Sequence, residues 1–61
     1  MPEVYVYAVE GRSAEQKKNL MKDITEAVMK HFDAPADAVV VQIVEAPKTD
    51  KAKAGIPFSE R

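Results

Sequence analysis

The 61-residue sequence contains no cysteine and no tryptophan, a single histidine and only two glycines. Without thiols a disulfide staple is excluded. A structural zinc site would have only His31 to draw on, because zinc takes nitrogen and sulfur ligands in sets of four. Gly11 and Gly55 stand far apart, so there is no glycine-rich phosphate loop, and no serine–histidine–acid pattern or metal-ligand spacing takes its place. Neither sign of charge dominates: nine Lys and Arg face ten Asp and Glu, for a net charge of −1 and a pI near 5.7. Nothing in that balance favours nucleic acid. Apolar runs such as Ala38–Val41 fall far short of the roughly 20 residues that span a bilayer. No basic stretch leads into an apolar core as it does in a secretory signal. The expectation is a cytoplasmic protein that binds neither nucleic acid nor membrane.

What the chain does have is apolar content out of proportion to its size, 46% of residues. A lone core in a chain shorter than roughly 70 residues seldom contributes more than about 3–5 kcal/mol, and small folds usually need a staple. With disulfides and metal set aside, association of copies is the staple that remains, around one small domain spanning residues 1–61.

Glu3–Val9 alternates Val4, Val6 and Ala8 with Tyr5, Tyr7 and Val9, a strand pattern with both faces largely apolar. Glu10-Gly11-Arg12 is a turn. Ser13 with Gln16 three residues later forms a capping box. A helix is predicted from about Ala14 to Phe32, with Leu20, Met21, Ile24, Ala27, Val28 and Phe32 as its apolar stripe. Lys17, Lys18, Lys22, Asp23, Glu26 and Lys30 are assigned mainly to the solvated face. Asp33-Ala34-Pro35 stops the helix, since the residue before proline avoids helical angles. Val39–Val44 is a second strand, followed by Pro47 and a polar loop over Lys48–Lys53. Gly55-Ile56-Pro57-Phe58 suits a turn or short hairpin that caps a neighbour. The fold class is therefore α/β, a βαβ unit with a parallel strand pair and a right-handed crossover helix. One helix covers one face of the pair, which leaves the other for another subunit.

Pro2, behind the initiator methionine, is the residue with the most chemical potential. Aminopeptidases generally remove Met1 before a small residue, and the mature chain would then begin with a secondary amine. Such an amine accepts a proton or attacks a carbonyl as a Schiff-base lysine does; otherwise Pro2 merely tolerates a strand end. Arg12 follows the other end of the first strand, more than about 20 Å away at 3.3 Å per residue, so curvature, sheet twist or a second subunit must bring the two together, a further reason to expect a site at a subunit interface. An adjacent cation and apolar walls disfavour the protonated amine. Arg12 could also hold a carboxylate with its planar fork, or simply pair with Glu10 or Glu15. His31 is read as a surface residue favoured by the helix dipole, Glu45 as a structural carboxylate, and Tyr5 and Tyr7 as packing residues.

Met1-Pro2, the strand, Glu10-Gly11-Arg12-Ser13, Glu15-Gln16-Lys17, Asp33-Ala34-Pro35 and Glu45 together resemble the 4-oxalocrotonate tautomerase family from Pro2 to about Pro47. The resemblance implies a hexamer built as a trimer of dimers and cofactor-free proton transfer. It further implies Pro2 as the base and Arg12, from a neighbouring subunit, as the anchor of a substrate carboxylate. The expected reaction is tautomerisation of enol or dienol forms of 2-oxo acids such as 2-hydroxymuconate. Two positions depart from the family pattern. Its second arginine falls at Val40, and its active-site phenylalanine at Lys51. Tautomerisation of a dicarboxylate is then expected to weaken relative to monocarboxylate enols, unless Lys51 or Lys53 replaces the charge. The rival readings are a related hydratase, dehalogenase or iminium chemistry, and a non-catalytic oligomeric module.

Overall fold

The computed structural model describes residues 1–61. Strand β1, Glu3–Val9, leads into Gly11, whose φ of 127° is open to a residue without a side chain. Helix α1, Ala14–Phe32, begins on the predicted box: Gln16 N donates to Ser13 Oγ at 3.1 Å, and Ser13 N donates to Gln16 Oε1 at 2.9 Å. Each contact satisfies a backbone or side-chain group that the first helical turn leaves open. At the other end Asp33 takes a left-handed conformation, φ 53°, and the chain turns away before Pro35.

Strand β2, Val40–Ala46, returns parallel to β1, in a register running from Glu3 opposite Val40 to Val9 opposite Ala46. It starts one residue later and ends two residues later than Val39–Val44. The start shifts because a tight helical turn over Ala36–Ala38 captures Val39, whose N–H donates to Ala36 O at 3.2 Å. The ladder therefore opens with Val40 N donating to Pro2 O at 2.9 Å. At the far end Glu10 N donates to Ala46 O at 3.0 Å, and Pro47 stops the strand. A second tight turn over Lys48–Asp50 precedes a hairpin of β3, Ala52–Lys53, and β4, Ile56–Pro57. Ala54 and Gly55 join these strands with φ 55° and 80°, the left-handed angles that suit a two-residue hairpin loop. The predicted polar loop is thus a turn plus one side of this hairpin.

The helix packs over Val6, Ala8 and Ile43, but its apolar stripe only partly faces them. Met21, Ile24 and Val28 are half-buried, as is Thr25, whose Oγ1 donates to Met21 O at 2.8 Å. Leu20 and Ala27 are exposed instead, and Phe32 is 72% exposed. The sequence pattern places Lys17 mainly on the solvated face, yet it is half-buried and pairs with Glu45 of β2 at 2.8 Å.

No residue of the chain is buried, and Tyr5 and Tyr7 on the sheet face away from α1 are 49% and 71% exposed. The radius of gyration is 14.4 Å, against about 10.5 Å for a compact chain of this length. With extents of 43 × 22 × 13 Å, the chain is a slab. It has no interior of its own.

Candidate functional site

An open cleft of about 830 Å³ lies where β1 ends and the chain turns toward α1. Ligands in parallel α/β folds settle beyond the carboxyl ends of the strands, and this cleft is so placed. Tyr7 and Phe58 contribute aromatic surface, and Arg12, Lys48, Lys51 and Arg61 contribute charge. The sole acidic side chain is that of Glu10, and its Oε2 already accepts from Lys48 N at 2.8 Å. That contact ties the turn after β2 to the end of β1.

Arg12 pairs with neither Glu10 nor Glu15. Its Nη1 donates to Val9 O at 2.9 Å, so the side chain curls back over the end of its own strand. This bond uses one of the five guanidinium donors. Four donors remain on a side chain that lines the cleft, and a guanidinium can take a carboxylate with two parallel bonds.

Lys51 is half-buried in the same cleft, and its carbonyl accepts from Phe58 N at 2.9 Å. Lys53, the other candidate for a replacement cation, does not line the cleft. It lies in β3, and its backbone carbonyl receives Arg61 Nη1 at 3.1 Å. Arg61 also rests over the Phe58 ring, 5.7 Å from its centre. The sequence suggests Phe58 only as part of a turn or hairpin that caps a neighbour, and assigns Arg61 no role. Both reach the cleft only because the chain reverses at Ala54-Gly55.

Pro2 lies at the opposite end of β1, half-buried, with its carbonyl held by Val40 N. One chain therefore joins Arg12 to Lys51 but not to Pro2. Val40 sits at the Pro2 end, opposite Glu3 and 40% exposed. Met1 is 85% exposed, and its peptide bond to Pro2 makes that nitrogen an amide while Met1 remains. His31 is exposed in the last turn of α1. Tyr5 Oη donates to Glu3 Oε1 at 2.9 Å, and this bond to a carboxylate, with the repulsion its charge adds, raises the Tyr5 pKa above the usual phenol value. Tyr7, expected as a packing residue, is largely exposed in the lone chain and lines the cleft. No cluster of three or more His, Cys, Asp or Glu could hold a metal ion, and no helix is long and apolar enough to cross a membrane.

A parallel βαβ slab with a cationic cleft at the end of its first strand defines a class of small α/β proteins whose relatives are known. Residues 2–61 match the Tautomerase family, described as tautomerase enzyme. A protein of Bradyrhizobium diazoefficiens described as a probable tautomerase is 52% identical over 61 residues, covering all of this chain and 91% of that one. The 2-hydroxymuconate tautomerase of Pseudomonas putida is 42% identical over 60 residues, or 98% of this chain and 95% of that one. Among solved structures, a heterohexamer 4-oxalocrotonate tautomerase from Chloroflexus aurantiacus superposes with a TM-score of 0.89 at 35% identity, covering 98% of this chain and 97% of its own. The chain belongs to the tautomerase family, in its 4-oxalocrotonate tautomerase branch, and is an isomerase.

Proposed function

We propose that the protein tautomerises enol or dienol forms of 2-oxo acids of the 2-hydroxymuconate type, with Pro2 as the general base and Arg12 as the carboxylate anchor. The observation that carries this reading is Arg12 lining a cleft with Tyr7 and Phe58, unpaired with any carboxylate and held to its own strand by its bond to Val9 O. The resemblance to 2-hydroxymuconate tautomerases supports the substrate class.

Once Met1 is removed, the Pro2 nitrogen carries a lone pair. It takes the enol proton, the O–H electron pair becomes the 2-oxo carbonyl, and the conjugated carbon chain takes a proton back from the prolinium. The proton count is unchanged and no redox partner is needed. Arg12 neutralises the adjacent carboxylate and, as a nearby cation, favours the neutral form of the proline amine, the form a base requires.

Because Pro2 and Arg12 occupy opposite ends of β1, this chemistry joins the Pro2 end of one copy to the cleft of another. A homo-hexamer arranged as a trimer of dimers is the assembly we propose, in line with the hexameric state of the Chloroflexus relative. The test is spectrophotometric. Intact-mass measurement should find Met1 absent, and Pro2→Ala should lower turnover of 2-hydroxydienoates by about 10²–10⁴-fold. Unchanged turnover in Pro2→Ala would move the chemistry to another residue.

A further inference from the structure

The cleft holds more positive charge than one carboxylate needs. Four basic side chains, Arg12, Lys48, Lys51 and Arg61, line it against the single acidic side chain of Glu10, in a chain whose net charge is −1. The positive charge is therefore a local arrangement and not a consequence of composition. Like charges gathered in a concave surface repel one another, and an anion bound there relieves that repulsion.

Arg61 is the least expected of the four and the best restrained after Arg12. Its guanidinium lies over the Phe58 ring at 5.7 Å, and its Nη1 donates to Lys53 O at 3.1 Å. Phe58 is itself pinned, its N–H donating to Lys51 O at 2.9 Å. Phe58 and Arg61 are thus tied to each other and to the backbone of Lys51 and Lys53. Stacking on an aromatic face and one bond to a carbonyl leave the remaining guanidinium donors unused.

We infer that Arg61 and Lys51 form a second anion subsite in this cleft, which selects enol acids carrying a second carboxylate. The inference builds on the proposed tautomerase reading and names its substrate class. Arg12 holds the carboxylate next to the reacting centre. Arg61 and Lys51 hold the distal one, supplying from the C-terminal segment the charge missing at Val40. On this assignment a dicarboxylate enol is the better substrate, contrary to the ranking expected from Val40 alone.

The test separates binding from chemistry. Muconate and sorbate are six-carbon dienoates that differ in one terminal carboxylate, and neither carries the enol that the reaction needs. Isothermal titration on the assembled protein should find muconate bound about 10-fold or more tightly than sorbate, the usual worth of a hydrogen bond to a charged group. Arg61→Gln and Lys51→Gln should each shrink that ratio several-fold, with sorbate affinity and circular dichroism unchanged. Arg61→Lys, which keeps the charge and loses the planar fork, should fall between. A wild-type ratio near one, no measurable muconate binding, or a ratio unmoved by Arg61→Gln overturns the subsite. A wild type that shows the expected binding ratio and its response to Arg61→Gln but turns over no 2-hydroxydienoate would overturn only the catalytic reading on which the subsite builds.

Discussion

The lack of any buried residue makes assembly a quantitative prediction. A compact monomer of 6.7 kDa exposes about 3,900 Å², whereas this chain exposes 4756 Å². The excess, about 850 Å², is just over half apolar if it resembles ordinary protein surface. At ~25 cal/mol per Å², the lone chain forgoes roughly 10 kcal/mol of hydrophobic stabilisation. That exceeds the stability a core of this size supplies, so folding should be inseparable from association. The most direct perturbation is Val44→Glu. Val44 pairs with Tyr7 on the sheet face that α1 does not cover. A carboxylate buried there without a partner costs several kcal/mol and should weaken assembly by about 10³-fold or more. Sedimentation velocity and circular dichroism across a dilution series would read both effects. For the wild type, the thermal midpoint should fall with dilution, and helix and quaternary structure should be lost together. A wild type that sediments as a folded monomer at micromolar concentration, or a Val44→Glu chain that assembles normally, would refute the reasoning.

Two further outcomes follow from single contacts. The raised Tyr5 pKa means that the folded state holds this proton more tightly than the unfolded state does. Its contribution to stability is complete below the ordinary phenol pKa near 10 and is lost as pH rises through the folded value. Absorbance titration should find Tyr5 ionising above the ordinary phenol value, and Glu3→Gln should bring it back down. Gly11→Ala meets no atom within 4 Å but forces an alanine to φ 127°. It should cost about 1–2 kcal/mol in chemical denaturation and, by shifting Arg12, raise KM for carboxylate substrates.

The parts of the fold legible in the sequence were those written locally. The capping box of Ser13 and Gln16, the Asp33-Ala34-Pro35 stop and the alternation along β1 each depend on neighbours a few residues away, and all three form as expected. The limits of β2 depended on hydrogen bonds that sequence does not display: Val39 is claimed by the turn before the strand, and Ala46 by Glu10 N. The helix stripe is only partly covered because its apolar residues exceed what two strands can bury, which leaves Leu20 and Phe32 exposed in the lone chain. At the site, Arg12 and Lys51 were visible as residue types at telling positions. Phe58 and Arg61 were not, because their place in the cleft rests on Ala54 taking a left-handed angle that alanine does not advertise.

Strand β1 also acts as a ruler. Its seven residues fix the separation between the Pro2 end and the Arg12 end, and no motion within a rigid strand shortens it. On the proposed assignment, each chain lends its base to one reaction centre and its anchor to another. Damage at one end of the strand then falls on a different centre from damage at the other, and a chain broken at one end still serves its neighbour with the intact one. Inheritance in such a protein is shared among copies: the functional unit is a junction between chains, and no single chain contains one.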